Sequence, residues 1–195
     1  MSMPARDTTT PDDDPEHPAS MTAREFEQFP DDPFWRHELV RGRVVREPPP
    51  GAEHGSVAAN LAHLLLQFIE PRGLGAVRVG SGYILARDPD TVRGPELSFV
   101  RREHVGGYCA RPWPDAPPDL AVEVLSPSNR AGKMRAKVAD YLAAGCPLVW
   151  VIDLKHRTVT VHEPPSEARV LAEQDVLDGG AVLPGLHLPL IQLFT

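Results

Sequence analysis

The sequence predicts one α/β domain built on a mixed β-sheet flanked by helices, and three observations predict it. The run "DLAVEVLS", residues 119–126, reads as a strand apolar on both faces. Leu120, Val122 and Val124 point one way, and Ala121 and Leu125 point the other, beside a single carboxylate at Glu123. The segment that follows, "NRAGKMRAKVADYLAAGC", carries an apolar stripe at Met134, Val138, Tyr141 and Leu142, and leads to a second covered run, "LVWVID". A strand, a helix and a strand joined in this way form a parallel, right-handed crossover unit. Earlier in the chain, short runs separated by tight turns predict an antiparallel meander.

In chain order, residues 1–20 are rich in Pro, Asp, Thr and Ser and almost devoid of large apolar side chains. They bury too little surface to offset ordering entropy, so a disordered tail is expected, with the folded domain at 21–195. Thr22 and Glu25 have capping-box spacing, and Pro30 ends the short helix they start. "HELV" and "RVVRE" flank Arg41-Gly42, where glycine permits positive φ, and form a tight hairpin closed by Pro48–Pro50. "AEHGSVAANLAHLLLQFIEPRGLG" is the clearest helix: Val57, Leu61, Leu64, Leu65, Phe68 and Ile69 recur at three- and four-residue spacing until Pro71 and Gly73. Three strands are expected next, "AVRVGS", "YILARD" and "PELSFVRRE", with "DPDTVRG" as the turn between the last two. Residues 104–118 read as a loop. After the crossover unit, "TVTVHE" alternates as a hairpin partner of "LVWVID", and the apolar tail "GGAVLPGLHLPLIQLF" is expected to dock on the domain.

Bulk properties narrow the function classes. The 195 residues suffice for one sizeable core, with 42% apolar and 24% charged residues, as in ordinary globular proteins. A formal net charge of -7 argues against a basic protein that coats nucleic acid, but leaves room for a local contact surface. Cys109 and Cys146 are too few for a disulfide framework. Without an apolar leader or a membrane-spanning run, the expectation is a cytoplasmic protein with no membrane partner. No Walker loop, dinucleotide fingerprint, zinc spacing or nucleophile elbow is present.

Glu123 is the chemical anomaly. Burying an ionised carboxylate costs several kcal/mol unless it is paired or binds a metal. Glu96, just after Pro95 at a strand entry, is a second candidate, sharing a face with Ser98. Each alone admits a plain reading, a salt bridge for Glu123 and a solvated strand end for Glu96. If their strands are neighbours, the two carboxylates converge as ligands for a hard divalent cation such as Mg²⁺. On the following helix Arg130, Lys133 and Lys137 form a basic stripe, and Lys137 abuts the buried stripe at Val138 and Tyr141. Lys137 is therefore the one placed to orient a water or neutralise a phosphate. Glu38 and His54 form a second tier.

The order "PEL", "AVEVLSPS", "KVADY", "PLVWVID" resembles the Uma-two family, which groups with restriction endonucleases in the PD-(D/E)XK nuclease superfamily. The resemblance covers residues 22–195 and includes "HELVRGRVV", the "EHGSVAANLAHLLLQF" helix and "LPGLHLPLIQLF". It implies a restriction-endonuclease-like fold and a metal-dependent endonuclease that hydrolyses DNA. It also implies Mg²⁺ (or Mn²⁺) held by Glu96, Glu123 and the backbone carbonyl of Val124, with Lys137 standing in for the lysine usually found at position 125, here Leu125. Glu38 matches an acidic hairpin residue and His54 a histidine at the helix entry. The sequence departs from the pattern at Glu96, where Asp is usual, and at Lys133, often Asp in the family. The rival expectation is an inactive nuclease-fold protein that binds DNA or a protein partner. Cutting both strands of a duplex suits two sites on a two-fold axis, so a homodimer is expected.

Overall fold

The computed structural model describes residues 20–106, 113–125 and 131–194. The expected tail lies outside the described residues except for Ser20, as do Cys109, Arg130, Ser126 and Ser128.

The chain begins with α1 (Ala23–Phe26), started by Thr22 through the expected capping box with Glu25. The hairpin follows as β1 (Arg36–Val40) and β2 (Arg43–Glu47). Arg41 and Gly42 both adopt positive φ, 50° and 74°, the geometry that matches a two-residue turn to strand twist. The long helix α2 spans Ala52–Ile69. Its Val57, Leu61, Leu65 and Ile69 recur every four residues and are all buried, each contributing about 1.5–3 kcal/mol. Next come β3 (Gly75–Val79), β4 (Tyr83–Ala86), β5 (Thr91–Arg93), β6 (Leu97–Arg101) and the short helix α3 (Arg102–Val105). The crossover unit is β7 (Leu120–Leu125), α4 (Ala131–Ala143) and β8 (Leu148–Asp153). It is followed by β9 (Thr158–His162), β10 (Arg169–Ala172), β11 (Val176–Gly179) and β12 (Leu183–Pro189).

The central sheet has six strands in the order β10-β9-β8-β7-β6-β3. β7 and β8 run parallel, as the crossover helix requires, and the other pairs are antiparallel. β7 is interior, and its two faces have the predicted occupants. Leu120, Val122 and Val124 join the stripe of α2 and the C-terminal leucines in the main core. Ala121 packs with Met134, Val138 and Tyr141 of α4.

Three expectations are corrected. The meander does not stay in one sheet: β3 pairs with β6 in the central sheet, while β4 joins a four-stranded sheet of order β2-β1-β5-β4. The chain changes sheets at Gly80-Ser81-Gly82, where Gly80 sits at φ 61°. The segment "DPDTVRG" is not all turn. Asp90 ties its first half by accepting from Ala23 N at 2.7 Å and from Arg87, and Thr91–Arg93 then form β5, too short to display alternation. The third concerns the ends of other runs. Residues after Arg101 turn into α3 rather than continuing the strand, and β10 and β11 arise in a stretch where no strand was expected. The apolar tail docks as expected, burying Leu183, Leu186, Leu188, Leu190 and Leu193.

Candidate functional site

The register of the central sheet brings the two candidate carboxylates together. In the antiparallel pair β6–β7, Ser98 faces Ala121 and Leu97 faces Val122. Glu96 immediately precedes Leu97 and Glu123 immediately follows Val122, so the two carboxylates stand at the same end of neighbouring strands. The condition stated from the sequence, that the two strands be neighbours, is met.

Glu123 is 2% exposed. Lys137 of α4 places its ammonium 3.0 Å from Glu123 Oε2, and the Tyr141 hydroxyl, one turn on, donates to Oε1 at 2.8 Å. The same ammonium lies 3.0 Å from Glu38 Oε1 on β1 and 3.6 Å from Glu47 Oε2 on β2. Glu38 is held further by Arg93 Nη1 at 2.8 Å and by the backbone N–H of Gly94 at 2.9 Å. Arg93 also donates to Asp140 Oδ2 from Nε at 3.0 Å and Nη2 at 2.6 Å. The ion network thus joins the four-stranded sheet to α4 directly over β7.

Charge is unevenly supported in this network. Burial pushes the Glu123 carboxyl up to about 7, and the neighbouring Glu38 adds to the shift while Lys137 and Tyr141 oppose it. Burial acts on Glu38 as well, but Lys137 and Arg93 outweigh it and hold that carboxyl below its ordinary value. Burial disfavours the Lys137 ammonium, yet Glu123, Glu38 and Glu47 together raise it well above an ordinary lysine. Lys137 is therefore charged, Glu38 is ionised, and Glu123 is the carboxyl that lacks enough positive charge.

Glu96 sits just before β6 with 14% of its side chain exposed. Arg36 of β1 grips both its oxygens, Nη1 to Oε2 at 2.9 Å and Nη2 to Oε1 at 2.8 Å. His54 in the first turn of α2 is buried, and its Nε2 lies 3.1 Å from the Val124 carbonyl and 3.4 Å from Glu96 Oε1. The contact to a carbonyl oxygen puts the ring proton on Nε2. His54 Nδ1 is buried with no hydrogen-bond partner among the described residues. The short distances from one nitrogen to Glu96 Oε1 and to the Val124 oxygen mean that these two oxygens converge on one point.

Glu96, Glu123 and the Val124 carbonyl offer hard oxygen donors, and Glu123 is short of cationic charge, so the residues fit a divalent cation. Among the described residues no group of three or more His, Cys, Asp or Glu is spaced to hold a metal. Two carboxylates and a carbonyl are the sparse set typical of Mg²⁺, which keeps several waters and takes further ligands from phosphate.

All of Glu38, His54, Glu96, Glu123, Val124 and Lys137 are thus gathered at one place. Lys133 is exposed on α4, Arg130 lies outside the described residues, and Lys137 is the member of the predicted basic stripe that reaches Glu38 and Glu123. Sequence reasoning missed Arg36, Arg93, Asp140 and the polar role of Tyr141. Tyr141 sits four residues after Lys137 on the same helix face, a spacing that carried the signal. Arg36 shares a strand face with Glu38, but nothing local points it to Glu96.

A crystal structure from Anabaena variabilis described as a "putative nuclease belonging to DUF820" superposes with a TM-score of 0.79. At 21% identity it covers 89% of this chain and 97% of its own, which establishes a shared fold. No curated protein matches the chain. The family model Uma2, described as "Putative restriction endonuclease", matches residues 23–191, and the chain belongs to that family.

Proposed function

We propose that the protein is a metal-dependent endonuclease that hydrolyses DNA phosphodiester bonds. The observation that carries this reading is buried Glu123, with the Lys137 ammonium 3.0 Å away, on the strand that neighbours the one Glu96 leads into. The family and the fold support a nuclease.

Glu96, Glu123 and the Val124 carbonyl would hold Mg²⁺ or Mn²⁺. When bound, the cation supplies Lewis acidity at the phosphate and lowers the pKa of a water. Lys137, fixed by Glu38 and Glu123, orients the attacking water and balances charge beside the phosphate. Glu38 and Arg93 position Lys137 rather than touching substrate. Tyr141 fixes the Glu123 carboxyl through its hydroxyl. His54 holds the Val124 carbonyl at the rim of the site. A two-fold dimer would present one site to each strand. Replacing Glu123 with Ala is expected to abolish Mg²⁺-dependent plasmid cleavage, and unchanged cleavage would overturn the reading.

Cation binding requires the Glu123 carboxylate, which burial keeps protonated up to about pH 7. Mn²⁺ affinity is therefore expected to be flat above that value and to fall about tenfold per pH unit below it. Calorimetric titrations at pH 6 and pH 8 in two buffers of different ionisation heat check both the slope and the released proton. Equal affinities at the two pH values would remove Glu123 from the ligand set.

Arg36 occupies both oxygens of Glu96 and must yield them. Arg36 is partly exposed, so the competition is modest, and Arg36→Ala is expected to tighten Mn²⁺ binding by a few-fold. Unchanged or weaker binding would place Arg36 outside the competition.

The same two ion pairs favour a second reading, an inactive nuclease-fold protein that binds DNA or a protein partner. There Arg36 and Lys137 neutralise Glu96 and Glu123 permanently. Retained DNA binding with no uptake of Mg²⁺ or Mn²⁺ selects this reading.

A further inference from the structure

Beside the ion network lies a cavity of about 430 Å³, most of whose lining the proposed reaction does not use. Arg36, Glu38 and Gly94 belong both to its wall and to the network, so the cavity opens directly onto the candidate active site. Its size falls within the range of small-ligand sites.

Phe26, Phe29, Trp35 and Trp113 line the cavity. Phe26 and Trp113 pack with ring centroids 5.1 Å apart, and Phe26 and Phe29 with centroids 5.9 Å apart, which fixes their planes. Trp35 is 41% exposed, which leaves part of its ring open. Gly80, Gly82 and Gly94 line it too. A Cβ at Gly82 would lie 2.6 Å from the Trp113 ring, so Trp113 packs directly on the Gly82 backbone. Trp35 is left to offer an open ring to a flat group entering this slot.

Glu27, Asp31 and Asp32 rim the slot. Carboxylates repel phosphate but accept from the amino and ring N–H groups of a nucleobase. The formal net charge of -7 also weighs against recognition through a long duplex backbone, and much less against recognition by stacking.

We propose that this slot takes an unpaired base of a DNA strand, stacked on Trp35, and so directs the neighbouring site to single-stranded or frayed DNA. The proposal rests on the nuclease reading and names its substrate class. A stacked base lies next to its own phosphate, and Arg36 in the cavity wall, once it leaves Glu96, offers a guanidinium to receive it.

The test uses the full chain with Ca²⁺ in place of Mg²⁺ and a fluorescein-labelled single strand, against the same sequence as a blunt duplex. Two of the three tryptophans line the slot, while Trp150 is buried in the core. The single strand is expected to quench intrinsic tryptophan fluorescence and to bind roughly tenfold more tightly than the duplex. Trp35→Ala should weaken single-strand binding roughly tenfold and leave duplex binding unchanged, and Trp35→Phe should restore most of the loss. Trp35 is exposed enough that the variant keeps its fold, which the thermal midpoint verifies. Equal affinity of wild type and Trp35→Ala for the single strand overturns the slot. So does equal quenching by strand and duplex. If the slot fails while Glu123→Ala still abolishes cleavage, the nuclease reading stands without it. If neither form of DNA binds, both fall together.

Discussion

Glu123→Ala is expected to abolish Mg²⁺-dependent plasmid cleavage, a loss on the order of 10³-fold or more. Metal stabilisation of a reacting phosphate is worth several kcal/mol, and each 1.36 kcal/mol is tenfold in rate, so ~10³-fold is the lower bound. The loss must be separated from unfolding, and Glu123→Gln does so because it keeps the shape of the side chain. The Glu123 carboxyl is pushed up to about 7 in the fold, above its ordinary 4.5. A carboxyl raised in this direction stabilises the fold below the lower value and loses that contribution as pH rises through the higher one. At pH 8 the ionised Glu123 therefore works against folding, and Glu123→Gln is expected to melt at or above the wild-type temperature while cutting no DNA. Lost activity with retained or gained stability is the signature of a group kept for chemistry. Wild-type cleavage by either variant would take Glu123 out of the site.

The second large effect concerns stability. Lys137 is fully enclosed and sits 3.0 Å from each of two buried carboxylates. Removing one partner of a buried ion pair leaves an uncompensated charge, at about 3–5 kcal/mol. Lys137→Met is accordingly expected to lower stability at pH 8 by about that amount, or roughly 6–20 °C in Tm for a domain of this size. Glu38 keeps Arg93 and the Gly94 N–H, so most of the penalty falls on Glu123, left with the Tyr141 hydroxyl. The deficit should shrink as pH falls, because the Glu123 carboxyl takes up a proton and needs no partner. Urea denaturation at pH 8 and pH 5.5 reads both effects. A loss independent of pH would mean that Lys137 contributes through packing of its stem, not through its charge.

How much of this was legible in the chain depends on the range over which each feature is encoded. β7, α2 and α4 were readable because their periodicity is local: Val57, Leu61, Leu65 and Ile69 declare a helix face by themselves. Glu123 was readable as an exception to such a pattern, and Lys137 because it adjoins the buried stripe of its helix. The division of the strands between two sheets was not, since β3 and β4 are separated by a three-residue break that looks like any turn. β5 was hidden for a different reason. Its three residues follow Asp-Pro-Asp, and its strand character comes from pairing with β1 and β4 rather than from its own sequence. Tyr141 was absorbed into the apolar stripe, because its ring packs there while its hydroxyl reaches Glu123. The grip of Arg36 on Glu96 spans sixty residues and two sheets, and no spacing rule carries it.

The central claim is that Glu96, Glu123 and the Val124 carbonyl form one cation site, and a crystal soaked in Mn²⁺ tests it most directly. The account predicts an anomalous peak with those three oxygens in the first coordination sphere, at about 2.1 Å, and Arg36 released from Glu96. A map with no peak there, and Arg36 still on both oxygens of Glu96, would contradict it.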